Sequence, residues 1–87
     1  MALSVSVVSA QQEIFNGEAD QVIAKTVDGE IGILRGHEPM LAILTSGTVR
    51  VKTVAGETVT VDAEDGFLSV DNDSVTIVAG KAQLVVA

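Results

Sequence analysis

At 87 residues the chain has room for one small domain, and residues 1–87 read as a single unit. Twelve Asp and Glu against five Lys and Arg give a formal net charge of −7, and Trp and Tyr are absent; this argues against nucleic acid, which needs a basic surface and rings for stacking. A hydrophobic content of 47% argues against a disordered acidic tail, and the lack of Cys removes disulfides, thiolate metal sites and cysteine nucleophiles together.

The opening residues, Met1-Ala2-Leu3-Ser4-Val5-Ser6, carry no basic region and alternate with serine, so they read as a strand rather than a secretory signal. A cytosolic location follows. Leu3, Val5 and Val7 fall on one face and Ser4 and Ser6 on the other, as in a strand with one buried side. Period-two alternation rich in Val and Thr continues along most of the chain.

Turn chemistry then sets the pairings. Asp28-Gly29 suits a two-residue type I′ turn, whose two central residues both need positive φ. It would place Thr26 opposite Ile31, Ala24 opposite Ile33 and Ile23 opposite Leu34. Gly29, Gly32 and Gly36 lack the spacing of a phosphate loop and read as a turn, a strand position of close approach and a bend. Pro39 to Leu44 does not alternate, and Pro suits the first position of a helical turn, so a short turn or irregular crossover is expected there. Ser46 and Gly47 would restart the strands. Met40 to Leu44 is also the longest apolar run, far too short for a spanning helix, so no membrane insertion is expected.

A three-residue loop, Val54-Ala55-Gly56, keeps the faces unmixed: Val49 meets Val61, Arg50 meets Thr60, Val51 meets Val59 and Lys52 meets Thr58. Gly56 takes the left-handed position of that loop. A turn at Asn72-Asp73 pairs Val70 with Val75 and Leu68 with Ile77. A further turn at Gly80-Lys81 would pair Ile77 with Leu84 and Val75 with Val86, giving a three-stranded meander. The whole predicts an all-β fold, a flattened β-sandwich or barrel of about eight to ten short, mostly antiparallel strands.

Few residues suggest chemistry. His37 is the only histidine, and its neighbour Glu38 is badly placed to face it. The stretch does not continue to H-E-x-x-H, and no Ser lies in a nucleophile-elbow pattern. Neither a metal site nor a catalytic role is expected, and a partner-protein contact is the reading for His37. Asp62, Glu64 and Asp65, and Asp71 with Asp73, lack a calcium-loop pattern and read as solvated turn acids. Lys81 at a hairpin tip admits one alternative function, a small acidic all-β carrier domain modified on that lysine; only the trailing Ala of Gly80-Lys81-Ala82 fits the flank of such a site.

The segment from Asp28 through Gly29-Glu30-Ile31-Gly32-Ile33-Leu34-Arg35-Gly36-His37-Glu38-Pro39-Met40-Leu41-Ala42-Ile43 to Leu44, closing with Gly47, resembles the signature of the epsilon subunit of F-type ATP synthases, approximately G-x-x-G-x-L-P-G-H-x-P-L-L-A-x-L-x-x-G. Val7-Val8-Ser9-Ala10 followed by Ile14-Phe15-Asn16-Gly17 resembles the family's opening strand and F-x-G turn. Asp65-Gly66-Phe67-Leu68-Ser69-Val70 resembles its G-G-F-L-x-V stretch, and Val75 to Ala79 the strand after it. Arg35 replaces a usual Pro and Asp65 the first Gly of the later motif. The C-terminal helical hairpin common in the family has no counterpart in these residues, so the regulatory behaviour attributed to it is not carried over.

The resemblance implies a non-catalytic β-sandwich in the rotating central stalk, coupling the gamma subunit to the membrane c-ring during ATP synthesis. It places the hairpin tip, Asp28, Gly29, Glu30 and Ile31, against the polar loops of the c-ring. It places Ser9, Ala10, His37, Met40, Leu41 and Ala42 against the gamma subunit. No cofactor is implied, and the location becomes peripheral, on the cytoplasmic face of an energy-coupling membrane. The residues agree on one point: a short stretch holding Met40, Leu41 and Ile43 cannot bury every side, so some of it must offer apolar surface.

Overall fold

Among the described residues, alternating Val, Ile, Leu and Thr build six strands: β1 (Leu3–Ser9), β2 (Glu13–Thr26), β3 (Gly29–Leu34), β4 (Met40–Thr53), β5 (Thr58–Asp71) and β6 (Ser74–Val85). The computed structural model describes residues 3–10, 12–26, 29–36 and 38–85. The strands lie in the order β1-β6-β5-β4-β2-β3, and a further β1–β2 pairing closes the sheet on itself. The result is a flattened barrel, with β3 continuing the edge of β2 that β1 leaves free. All pairings are antiparallel except β1 with β6, which run parallel with Val5 beside Val75 and Val7 beside Ile77.

The expected all-β sandwich is present, but with fewer and longer strands than predicted. The reason is a crease. In β5, Val61 and Ala63 are buried before it, and Leu68 and Val70 after it. β6 buries Val75, Ile77 and Ala79 and then changes phase, exposing both Gly80 and Lys81. β4 buries Leu44, then Val49 and Val51; β2 buries Ala19, then Val22 and Ala24. Each long strand therefore slips its alternation once, where it passes from one layer to the other, and a slip in phase reads in sequence like a turn.

The residues at the crease show how it is made. Asp65 lies in the left-handed region at φ 55, which Asp tolerates better than most residues with a Cβ. A Cβ added to Gly66 would run into the Val78 carbonyl oxygen and sit 2.6 Å from the Ala79 Cα. Only a residue without a side chain lets β5 approach β6 so closely there.

Three local expectations are corrected by this arrangement. Pro39 to Leu44 contains no crossover: Met40–Leu44 is strand, paired from Met40↔Val70 to Leu44↔Gly66. Its alternation is hidden because the outward residues, Leu41 and Ile43, are as apolar as the inward ones. Gly80-Lys81 is not a turn either. β6 runs on beside β5, with Lys81 opposite Glu64 and Leu84 opposite Val61. The outer neighbour of Ile77 is therefore Val7 of β1, not Leu84, and the rungs are Leu68–Ile77–Val7 and Val70–Val75–Val5.

The β2–β3 register also differs by two residues. Thr26 pairs with Gly29, Ala24 with Ile31 and Val22 with Ile33, so the connection is residues 27–28, outside the described residues. A shift of two keeps every side chain on its own face, and the hydrophobic pattern fits both registers equally. The buried Thr26 closes the observed one, its Oγ1 donating to the Gly29 carbonyl at 2.9 Å.

The other turns follow the sequence. All four predicted β4–β5 pairs are present, and Gly56 has φ 91. Asn72 and Asp73 have φ 48 and 61, with Val70 opposite Val75 and Leu68 opposite Ile77. Leu3, Val5 and Val7 are fully buried and join the central core with Ile33, Val49, Val51, Leu68, Val70, Val75 and Ile77.

Candidate interaction surfaces

The layer formed by β1 and the neighbouring parts of β6, β5 and β4 presents its outer face in rows. One row reads Ser6–Thr76–Ser69–Leu41 and the next Val8–Val78–Phe67–Ile43. Every member of the second row is apolar, although the outward phase of a half-buried sheet is ordinarily polar. Leu41 is 68% exposed, Ile43 55% and Phe67 39%, while Val8 and Val78 are half-buried. Grouped apolar residues at the wet phase mark a contact surface.

The predicted gamma-contact residues distribute unevenly about this row. Leu41 lies on the outer face, one row from Ile43. Met40 and Ala42 are half-buried on the inward phase, and Met40 packs against the core. Ser9 ends β1, where its amide and hydroxyl both reach the Gln12 carbonyl, at 2.8 and 3.2 Å, and its Oγ accepts from the Gln12 amide. That hydroxyl holds the bend into β2, and Ala10 is exposed beside it. His37 lies outside the described residues. Sequence reasoning missed Val8, Phe67 and Val78. A signal was available, because each is apolar and out of phase with its buried neighbours: Val8 against Val5 and Val7, Phe67 against Leu68 and Val70, Val78 against Val75 and Ile77.

The tip of the β2–β3 hairpin forms the second surface. Gly29 and Glu30 are exposed, Ile31 is half-buried against the core, and Asp28 lies outside the described residues. The Glu30 carboxylate accepts from Arg50 Nη2 at 3.2 Å, an ion pair with both side chains about half exposed. Such a pair contributes at most about 1 kcal/mol. Sequence reasoning did not find Arg50; it becomes visible only once β4 lies beside β2, with Arg50 opposite Ile23. Lys25, Glu30, Gly47, Thr48 and Arg50 line a shallow depression behind the tip.

The other concavities are open grooves. One, of about 490 Å³, runs along β6 and is lined by polar residues including Asp62, Glu64 and Lys81. Lys81 lies within a strand rather than at a hairpin tip, so the carrier-domain geometry is not met. Among the described residues no three of His, Asp or Glu are grouped to hold a metal ion, and no helix is long and apolar enough to cross a membrane.

Fold and surface together define a β-sandwich whose distinguishing feature is an apolar outer row next to a polar hairpin tip. A family model described as the ATP synthase delta/epsilon chain beta-sandwich domain matches residues 2–85, and the chain belongs to that family. It is 54% identical over 82 residues to the ATP synthase epsilon chain of Micrococcus luteus, covering 94% of this chain and 90% of that one. With the epsilon chain of Frankia casuarinae it shares 45% over 85 residues, 97% of this chain and 99% of that one. The epsilon chain of Streptomyces coelicolor is 39% identical, and 66% of its length is matched. The fold is similar to a chain of the Euglena gracilis mitochondrial ATP synthase, in its OSCP/F1/c-ring assembly, with a TM-score of 0.89 at 22% identity over 95% of this chain and 53% of that one. A chain of the Tetrahymena thermophila mitochondrial ATP synthase central stalk and c-ring gives 0.76 at 18% identity, with 95% and 66% covered.

Proposed function

We propose that the chain acts as a non-catalytic rotor subunit of a proton-translocating F-type ATP synthase, coupling the gamma subunit to the c-ring. Residues 1–87 would work as one rigid unit, peripheral to the cytoplasmic face of the energy-coupling membrane and without a cofactor. The observation that carries the reading is the Val8–Val78–Phe67–Ile43 row with Leu41 beside it. An apolar strip at the wet phase of four adjacent strands costs solubility unless a partner covers it.

The gamma subunit is the occupant the reading assigns to this strip, and it assigns Ser9, Ala10, His37, Met40 and Ala42 to the same partner. Asp28, Gly29, Glu30 and Ile31 meet the polar loops of the c-ring, and Arg50 joins them through Glu30. Charges at such a rim set orientation and register more than affinity. Membership of the epsilon-chain family supports this assignment, as do relatives matched over nearly their whole length. The test is direct binding to purified gamma subunit. Micromolar or tighter association is expected; a folded chain that fails to bind at those concentrations would overturn the reading.

A further inference from the structure

We propose that Asp73 is a positioning residue whose carboxylate fixes Gly36 in the loop after β3, and with it the entry of the chain into β4 and the partner contact at Met40 and Leu41. This inference rests on the gamma-subunit reading for its functional half, and on geometry alone for its structural half.

The loop has to cross one end of the barrel. β3 ends with Leu34 beside Gln21 of β2, and β4 begins with Met40 beside Val70 of β5. The β5–β6 turn, Asn72 and Asp73, follows directly from that part of β5. The Gly36 amide donates to Asp73 Oδ1 at 2.7 Å, between residues 37 apart in sequence. The main-chain carbonyl of Asp73 accepts from the Ser4 amide at 2.8 Å. One residue thus ties the start of β1, the β5–β6 turn and the loop after β3 to each other. A short amide-to-carboxylate bond of this kind is charge-assisted and stronger than a neutral one.

The turn by itself does not need a carboxylate. Asn72 and Asp73 both have positive φ, at 48 and 61, and the favoured residue at the second position of such a turn is Gly. Asp is tolerated there, at a conformational cost that Gly would not incur. The Asp73 carboxylate is engaged outside the turn, on Gly36, which itself has φ 86. Asp73 therefore differs from the solvated turn acid expected from sequence: its main chain serves the hairpin and its side chain serves the loop.

The test compares the chain with Asp73→Gly and Asp73→Asn in two measurements, hydrogen exchange at the Gly36 amide by NMR and affinity for the gamma subunit by calorimetry. Asp73→Gly suits the turn, so its unfolding midpoint holds or rises. Its Gly36 amide is expected to exchange at least roughly tenfold faster, with gamma affinity falling by about the same factor, as loss of one hydrogen bond to a charged group implies. Asp73→Asn keeps an acceptor oxygen and tolerance of positive φ, and recovers part of both effects. Unchanged Gly36 exchange in Asp73→Gly would overturn the clamp. Faster exchange with unchanged gamma affinity would leave the clamp standing and overturn its link to the gamma contact at Met40 and Leu41.

Discussion

Replacing Ile43 by Ser tests the apolar row where it is most exposed without touching the core. Ile43 is 55% exposed, which is roughly 100 Å² of apolar surface; at about 25 cal/mol per Å² its full burial against a partner is worth roughly 2.5 kcal/mol. Ser keeps a small part of that contact, so the loss is about 2 kcal/mol, or roughly thirtyfold in Kd. The fold should barely respond. The side chain points outward, and its cross-strand contact with Phe67 is worth about 0.5–1 kcal/mol. Calorimetric titration with the gamma subunit gives the affinity, and urea unfolding of the same samples gives the stability. Val54→Ser is the control: Val54 is as exposed, at 54%, but lies in the β4–β5 loop away from the row. A folded Ile43→Ser chain that binds within twofold of the original, or a Val54→Ser chain that loses as much, would refute the assignment of the row.

Three further outcomes follow. Ile77→Asp puts a charge at a fully buried position between Leu68 and Val7 and should leave no cooperative unfolding transition by circular dichroism. Gly66→Ala forces a methyl group against the Val78 carbonyl and should cost about 2–3 kcal/mol, a fall in Tm of at least roughly 10 °C in a scanning calorimeter. Glu30→Lys removes the Arg50 pair and adds a third cation beside Lys25 and Arg50; stability should fall by less than about 1 kcal/mol, while proton-coupled ATP synthesis by the assembled enzyme drops. Unchanged coupling in that variant would show that the tip does not meet the c-ring.

Wherever a local rule had one solution, the structure was legible in the residues. Val49 to Lys52 had a single register that kept charges off the buried face, and Asn72-Asp73 had flanks that alternate cleanly. What stayed hidden was of two kinds. At Asp28-Gly29 two registers satisfied the same faces, and a buried Thr26 hydroxyl decided between them. At Gly80-Lys81 and Met40–Leu44 a strand kept going while its pattern slipped or vanished, first at the crease and then under an apolar outer face. The same blindness affected the surfaces. Leu41 was found through its family motif, whereas Phe67, Val78 and Val8 belong to different strands and become one row only when β1 lies parallel to β6. Arg50 and Asp73 act across sequence distances that no local pattern spans.

The crease that disguised the long strands also governs how the molecule carries load. Because β2, β4, β5 and β6 each cross from one layer to the other, the layers cannot slide past each other without dragging covalent backbone through several ladders of hydrogen bonds. On the proposed assignment, a push delivered at Ile43 and Phe67 would reach Glu30 through continuous strands, as in a welded box rather than two stacked plates.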